Sequence, residues 1–385
     1  MEITLHRHVL RWARERVGLT EETLAKRLGV KPERVHDWER TGHLRFAQAE
    51  KLAKATYTPF GLLYLQAPPE DRLPIPDFRT VGNAPPGRPS PNLLDVLDDA
   101  MQRQDWFREY LLADREEPLE CVGSLSIQTP VQEAATRVRQ VVRFDAALRA
   151  EARTWEEALT AQIGQIEESG VLIMRSGIVR SNTHRPLSVD EFRGFALADS
   201  YAPLIFLNGR DALAAQMFTL AHELVHIWLG ASGVSNLTNT YPADRAEERF
   251  CNSVAAELLV PEDELRRLWP EAHGNPQAVA WLVQRFKVSS LVMLRRLNDL
   301  RLIAKARFDE LYRQEEARFR AAAAARAPGG DFYRTQRTRS GRRFARALIE
   351  SALEGRTPYR DALRLLGISK MGTFNEFARQ LGFAA

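Results

Sequence analysis

Cysteine is scarce in this sequence, and long apolar runs are missing. The 385 residues include only two cysteines, Cys121 and Cys251, which lie far apart along the chain. This excludes a disulfide framework and favours a reducing compartment. No run of about 18 apolar residues occurs, so no membrane-spanning helix is expected. The charged, amphipathic N-terminus lacks the apolar core of a signal peptide, and we expect a cytoplasmic protein with no membrane partner.

A dominant charge and internal repeats are also missing. Lys and Arg number 54 against 50 Asp and Glu, which gives a formal net charge of +4. This mildly basic balance allows a polyanionic partner but does not require one. No repeat of solenoid type is found. A chain of this length exceeds one ordinary core, so two to four domains are expected.

Composition along the chain predicts four regions and an α+β fold. Residues 1–66 are expected to form an all-α module of short helices. Residues 67–124 begin with a proline- and glycine-rich stretch, expected to be a strap or linker, and continue as a helical connector. Residues 125–300 combine apolar β-type segments with long helices, which predicts a small sheet packed on helices; near their start SLSIQ is expected to be a short strand and Thr129 a helix cap. Residues 301–385 are expected to be helical and arginine-rich.

The stretch LAHELVHIWLG contains two histidines four positions apart. His222 and His226 share one face of a helix, so a single ion can bind both. Glu223, one position on, can reach a water on the ion without being a ligand. A zinc ion lowers the pKa of such a water toward about 7, and the glutamate accepts its proton. The alternative is an apolar helix with two buried histidines, but buried polar groups without partners cost several kcal/mol there.

A third ligand is expected from the next helix, within ERFCNSVAAELLVP. Glu248 is the candidate carboxylate, and Asn252 lies on the same helical face, where it can orient one of the histidines. Glu247 is the rival carboxylate. Cys251 shares this face as either a ligand or a small buried hydrophobe. Zn2+ suits such a ligand set, and Mn2+ or Fe2+ are also accepted by histidine and carboxylate.

Peptide hydrolysis further requires an exposed strand edge and a group that stabilises the developing oxyanion. The segment PLIFLNG, just before the histidine helix, is expected to supply the edge. Four side chains are candidates for the oxyanion role, and the sequence does not choose between them: Tyr201, Tyr241, His184 and Arg210.

Together, HELVHIWLG and EERFCNSVAAELLVP resemble the ImmA/IrrE family of metallopeptidases, and the resemblance covers about residues 125–300. It implies a zincin-like core in which His222, His226 and Glu248 bind zinc and Glu223 is the base. Family members cleave transcriptional repressors, often of integrated elements or stress-response genes. The resemblance therefore implies a regulatory endopeptidase whose substrate is a repressor, itself of the helix-turn-helix kind, or an antitoxin-like protein.

The segment RLGVKPERVHDWERTG resembles the helix-turn-helix of the phage-repressor (XRE-type) family. Its second helix is then expected to enter the major groove, with Val35 and Trp38 packed inward. The candidate DNA contacts are Lys31, Arg34, His36 and Arg40. The acidic residues of this helix oppose phosphate, so the alternative is a helical module that binds only protein; they are Glu33, Asp37 and Glu39. Such domains usually bind DNA as dimers, so a single copy implies a homodimer or weak binding.

Two other functions remain open. One is a DNA-binding regulator or antitoxin in which the metal site is structural or inactive. The other is an interaction module without metal or DNA affinity. The arginine-rich C-terminal region is either a solvated surface or a second nucleic-acid contact.

Overall fold

The computed structural model describes residues 1–77, 88–143, 151–235, 246–273, 275, 277–323 and 338–383. The chain divides into two compact units. The first comprises Met1–Pro74 and Gly87–Asp95, and the second comprises Ile75–Pro86 and Val96–Ala385. The predicted regions 1–66, 67–124, 125–300 and 301–385 divide the chain more finely and remain predictions.

The first unit contains the predicted short helices and a small sheet that was not predicted. Its elements are β1 (Glu2–Thr4), α1 (Arg7–Glu15), α2 (Glu21–Leu28), α3 (Pro32–Thr41), β2 (His43–Arg45), α4 (Phe46–Ala55) and a 3-10 helix (Phe60–Tyr64). The strands β1 and β2 pair in antiparallel register. Each strand has three residues, and its partner lies some 40 positions away, so no local sequence pattern marks either one.

Three residues set the ends of α2 and the start of α3. The Thr20 hydroxyl accepts a hydrogen bond from the Thr23 backbone N–H at 3.2 Å and so caps α2. Gly29 ends the helix in the left-handed region, at φ 68°, where only glycine is free of strain. Pro32 occupies the first turn of α3, where its missing N–H costs nothing. Thr20 thus sets the start of α2, and Gly29 and Pro32 set the turn that leads into α3.

The second unit is built on a four-stranded mixed sheet with helices around it. Its strands are β3 (Leu172–Ser176), β4 (Gly194–Leu197), β5 (Leu204–Asn208) and β6 (Gly233–Ser235). The order is β3-β5-β4-β6; β3 and β5 are parallel, and β4 is antiparallel to both of its neighbours. The predicted α+β fold is confirmed.

The remaining described helices, in chain order, have these bounds: α5 (Pro91–Ala113, which begins in the first unit), α6 (Val131–Val142), α7 (Trp155–Glu168), α8 (Leu213–Leu229), α9 (Ala246–Leu259), α10 (Glu262–His273), α11 (Ala278–Phe286), α12 (Ser290–Asp299), α13 (Lys305–Ala323), α14 (Arg342–Leu353), α15 (Tyr359–Leu366) and α16 (Met371–Gln380). None of the helices in the described ranges is both long and apolar enough to cross a membrane.

The segment PLIFLNG is not a sheet edge, and that prediction was wrong. It forms β5, which hydrogen-bonds to β3 on one side and β4 on the other. All five of its residues are buried, as expected for a strand covered on both faces. The outer strands of the sheet are β3 and β6.

Two local predictions near residue 125 were also wrong. SLSIQ forms no strand, because its backbone closes the end of α8: the Leu125 N–H donates to the Trp228 carbonyl at 2.9 Å. Thr129 does not cap α6. Its hydroxyl accepts a hydrogen bond from the Ser126 N–H, and Pro130 occupies the cap position.

Part of the proline-rich stretch does run along the sheet. The Val234 N–H donates to the Pro76 carbonyl at 3.1 Å, and Asp77 forms a parallel bridge with Val234. The outer edge of β6 is thus partly paired with residues 75–77. Phe78, an apolar residue whose presence in this stretch favours a strap over a linker, lies outside the described residues.

The histidine-bearing helix α8 lies at the centre of the second unit. It packs on β4, β5 and α9, and its side chains join theirs in one apolar core. Gly230 ends it in the left-handed region at φ 70°. This placement buries the HELVH stretch and sets it against the sheet.

Candidate metal centre and DNA-binding helix

Three ligand atoms converge at the middle of α8. The Nε2 atoms of His222 and His226 are 3.1 Å apart. One Glu248 oxygen lies 3.3 Å from the His222 Nε2, and the other lies 3.0 Å from the His226 Nε2. All three residues are buried, and their ligand atoms lie within 4.8 Å of one another. This is the shape of a three-ligand site that leaves a fourth coordination position open.

The polar atoms around this point suit a cation. Both Glu223 oxygens are buried and make no hydrogen bond of normal geometry. The two facing Nε2 atoms share at most one proton when both rings are neutral, and Glu248 offers lone pairs to both. A divalent ion would use all three sets of lone pairs, and the two-histidine, one-carboxylate set is one that catalytic zinc accepts.

The electrostatics without an ion lead to the same conclusion. Burial raises the pKa of Glu223 to about 8, and the nearby Glu248 carboxylate adds to the effect. Burial opposes ionisation of Glu248, but the two histidines lower its pKa well below the usual range. Burial lowers the pKa of His222. A cation at the convergence point would lower the pKa of Glu223 and leave it able to accept a proton.

Neighbouring residues of α9 contact the histidines from behind. The Glu247 carboxylate lies 3.4 Å from the His226 Nδ1, the nitrogen that faces away from the cluster. Glu247 is therefore placed to orient His226 rather than to bind an ion. Burial alone would lower the pKa of His226. The interactions of His226 with Cys251, Glu247 and Glu248 have the larger effect and raise its pKa. Asn252 lies near enough to His222 to act on its pKa as a hydrogen-bond partner.

Gly194 in β4 allows the sheet to approach Glu223, a role that sequence reasoning missed. A Cβ atom at this position would lie 2.6 Å from the Thr219 methyl group, 3.0 Å from the Phe206 carbonyl oxygen and 3.3 Å from the Glu223 Cγ. Gly194 also pairs with Ser235 of β6. The glycine thus brings β4 against the helix at the position of the base.

Replacing Gly194 by Ala is expected to destabilise the protein by about 1–3 kcal/mol, because the added methyl group overpacks the contact with α8. The shift of Glu223 is expected to lower peptidase activity as well. Gly164→Ala is the matched control, since a Cβ there meets nothing within 4 Å and a helical alanine stabilises by about 0.5–1 kcal/mol. Urea unfolding measures both variants. Equal stabilities would contradict this packing argument.

The oxyanion candidates are not brought to the cluster by any described contact. The Tyr201 N–H donates to Asp199 in the turn after β4. His184 and Arg210 are exposed on loops. Tyr241 lies outside the described residues. Within the described ranges, no hydrogen bond or ion pair links the first three to His222, His226 or Glu248, and their oxyanion role stays a prediction.

In the first unit, α3 presents the predicted basic side chains. Val35 and Trp38 are buried, as predicted, with exposures of 0% and 1%. The four candidate DNA contacts are all exposed: Lys31, Arg34, His36 and Arg40. Asp37 lies between two of them, 3.8 Å from Arg34 and 2.7 Å from Arg40.

Glu39 does not face the DNA side, contrary to its inclusion among the opposing acids. It is 3% exposed, and Arg14 of α1 holds it with hydrogen bonds of 2.6 and 2.8 Å. It stands four positions after Val35 and therefore shares the inward face of α3. The acidic side chains left on the exposed face are Glu33 and the paired Asp37.

The family matches place a metallopeptidase-type domain in the same chain as a helix-turn-helix domain. Residues 166–298 match the IrrE N-terminal-like domain family, residues 10–62 the helix-turn-helix family, and residues 340–380 a domain of unknown function. The predicted relationship to the ImmA/IrrE family, with an XRE-type helix-turn-helix, is confirmed.

Two proteins described as radiation response metalloprotease IrrE are similar to part of the chain. The protein from Deinococcus radiodurans is 33% identical over 101 residues, which cover 25% of this chain and 31% of the relative. The protein from Deinococcus deserti is 36% identical over 92 residues, which cover 23% of this chain and 33% of the relative. The chain thus spans about a third of the length of these relatives.

Proposed function

We propose that this protein is a zinc-dependent endopeptidase that regulates transcription by cleaving a repressor or antitoxin-like protein at a specific site. The observation that carries the proposal is the convergence of His222, His226 and Glu248 on one point beside Glu223. The metalloprotease relatives support it. Mn2+ or Fe2+ would suit the same ligands.

In this proposal each side chain has one task. His222, His226 and Glu248 hold the ion, which when bound polarises the scissile carbonyl and lowers the pKa of a water toward about 7. Glu223 accepts the proton of the attacking water and then delivers it to the leaving amine nitrogen. Glu247 and Asn252 orient the histidines from outside the ligand set. The apolar core around α8 excludes bulk water and strengthens these interactions.

The substrate is proposed to add as an extended strand along β6. Among the sheet edges, β6 is the one next to the base, because its Ser235 pairs with Gly194, which packs on Glu223. Residues 75–77 already occupy part of that edge through the Val234 N–H. A substrate strand would need the same N–H, so the strap competes with it.

Replacing Ile75, Pro76 and Asp77 by three glycines is expected to raise kcat/KM a few-fold. The substitution removes the half-buried Ile75 side chain. Glycine also increases the conformational entropy of the strap when it is detached from β6, so the edge of β6 is accessible more often. The control is a triple-glycine replacement of Gln66, Ala67 and Pro68, which make no described hydrogen bond to β6. A lower or unchanged kcat/KM relative to this control would contradict the competition.

The helix-turn-helix domain is proposed to bind DNA through α3, as a dimer, and to bring the peptidase to a repressor bound at the same site. Its exposed basic side chains support this, and the burial of Glu39 removes one acidic group from the contacting surface. Repressors targeted in this way would themselves contain a helix-turn-helix.

Substituting Arg34 and Arg40 together by Gln is expected to lower affinity for a random-sequence DNA duplex and to reduce the slope of log K against log salt by up to about two. Arg7→Gln with Lys51→Gln removes the same charge from exposed positions outside α3 and serves as the control. Fluorescence anisotropy across a salt series measures both. Equal slopes for the two double variants would exclude α3 as the contacting helix.

Mapping new protein N-termini in cells tests the proposed activity. Cells that produce the wild type should contain a new N-terminus, from a transcription regulator, that is missing in cells producing Glu223→Gln. Identical N-termini in both would favour the second candidate, a DNA-binding regulator or antitoxin with a structural metal. The exposed basic face of α3 is the observation that keeps this candidate open.

A further inference from the structure

A pocket lined by apolar and charged side chains lies in the second unit, away from the metal cluster. Helix α5, the end of β3 with its following loop, and the C-terminal segments at residues 339 and 366–367 enclose it. None of its lining residues belongs to the metal cluster or to α3. The charged side chains that line it are Asp99, Arg103, Arg180 and Arg339.

The positive charges in the pocket lining outnumber the negative ones. Asp99 is the one carboxylate among the described residues of the lining, and it bonds to both Arg103, at 2.9 Å, and Arg180, at 3.1 Å. Three guanidinium groups therefore face one carboxylate, a net charge of two. The Arg103 side chain is only 8% exposed, so water screens this charge poorly.

The arginines differ in how far their N–H groups are used. Arg103 is structural: its Nε donates to the Leu365 carbonyl at 2.9 Å and one Nη to the Arg339 carbonyl at 3.3 Å. The Arg339 Nε is buried without a hydrogen-bond partner. Its Nη1 has only a long contact of 3.5 Å to the Ser181 hydroxyl. Burial lowers the pKa of Arg339, as expected for a cation withdrawn from water.

The backbone holds Arg339 firmly in this position. Gly341, at φ 74°, lies so close to β3 that a Cβ there would come within 2.4 Å of the Ile173 carbonyl oxygen. Ser340 between them is fully buried. Arg103 fixes the same segment through the Arg339 carbonyl. The backbone at Arg339 is thus fixed before a ligand binds, which lowers part of the entropy cost of binding.

The size of the pocket limits what it can hold. The pocket and its open mouth together contain about 390 Å3, but the enclosed cavity has a volume of only about 20 Å3. A single water needs roughly 10–15 Å3 by this measure. The interior therefore admits about one water-sized group, such as one oxygen of a phosphate, and the rest of the ligand would lie in the open mouth of the pocket.

We propose that this pocket binds a phosphate group, as inorganic phosphate or as the end of a phosphomonoester. Arg339 and Arg180 donate to its oxygens, and Arg103 contributes charge from behind. A phosphate group carries about −1.5 to −2 at neutral pH and matches the net charge of the lining; a carboxylate matches only half of it. Arginine also presents a planar fork that fits phosphate oxygens. The ligand stabilises the packing of the C-terminal helices on β3.

Calorimetric titration of the full, metal-loaded chain with inorganic phosphate tests the proposal, at constant ionic strength set with chloride. Wild type and Arg360→Gln, which removes an exposed arginine of α15 outside the pocket, should bind phosphate with equal Kd. Arg339→Gln and Arg180→Gln should each weaken that binding tenfold or more. Phosphate bound to the metal or to the DNA-binding domain is common to all four proteins and cancels in the comparison.

Further arms identify the ligand and guard against misfolding. Adenosine monophosphate binding more tightly than phosphate would support a phosphomonoester, and equal binding would support free phosphate. Acetate binding as tightly as phosphate would overturn the proposal, as would equal Kd values for Arg339→Gln and Arg360→Gln. Arg180 is 57% exposed, so its substitution leaves the fold intact, and unchanged binding in Arg180→Gln would also overturn the proposed contacts.

Discussion

Glu223→Gln is expected to lower the rate of peptide cleavage by about 10²–10⁴-fold, the usual contribution of a positioned general base. The amide has nearly the same shape as the carboxylate, so the packing against Gly194 is retained. What is lost is the group that accepts the proton of the attacking water. Purified protein and the substrate identified by its new N-terminus would be used, with the cleavage products followed by mass spectrometry.

The same variant separates the peptidase from its rival. Glu223 makes no hydrogen bond to His222, His226 or Glu248 within the described structure, so metal content and DNA affinity should stay at the wild-type level. Cleavage by Glu223→Gln at the wild-type rate would exclude Glu223 as the base. Loss of metal in the variant would instead show that Glu223 belongs to the ligand set.

Glu248→Ala is expected to weaken zinc binding by more than about 100-fold, while Glu247→Ala weakens it by no more than about 10–100-fold. The two carboxylates are adjacent in sequence but face different atoms. Glu248 lies within 3.3 Å of the Nε2 atoms that face the convergence point, whereas Glu247 lies beside the opposite nitrogen of His226. Competition with a chromogenic chelator gives both affinities.

The cleavage activities of the same two variants also distinguish a metal ligand from a residue that only orients a ligand. Glu247→Ala should retain cleavage when saturated with zinc, and Glu248→Ala should not recover it at any practical zinc concentration. The opposite order of affinities would exchange the roles of the two residues and contradict the geometry of the site.

Sequence reasoning predicted the features that depend on local spacing. Two histidines four apart fall on one face wherever a helix forms, so His222, His226 and the adjacent Glu223 followed from α8 alone. Glu248 and Asn252 required a second helix packed on the first; their four-residue spacing put them on one face of that helix, and the family resemblance then implied Glu248 as the third ligand. Helix caps such as Thr20 and Gly29 are local in the same sense, because they depend on residues within one turn.

Features that depend on distant partners were missed, although two of them had a signal. The run LIFLN has no polar residue on either face before Asn208, a pattern typical of a central strand, yet it was predicted as an edge. Glu39 shares a helical face with Val35 and was still included among the acidic residues that oppose phosphate. The roles of Gly194 and Ser235 had no such signal, because they arise from the pairing of β4 with β6 against α8.

The metal content of the wild-type protein, purified without chelators, tests the central claim most directly. Elemental mass spectrometry should find about one equivalent of zinc, manganese or iron per chain, as a single three-ligand site requires, and His222→Ala should reduce it to background. Wild-type protein without bound metal that also fails to take up zinc on titration would contradict the account. The HELVH helix would then be an apolar core element, and DNA binding would have to carry the function.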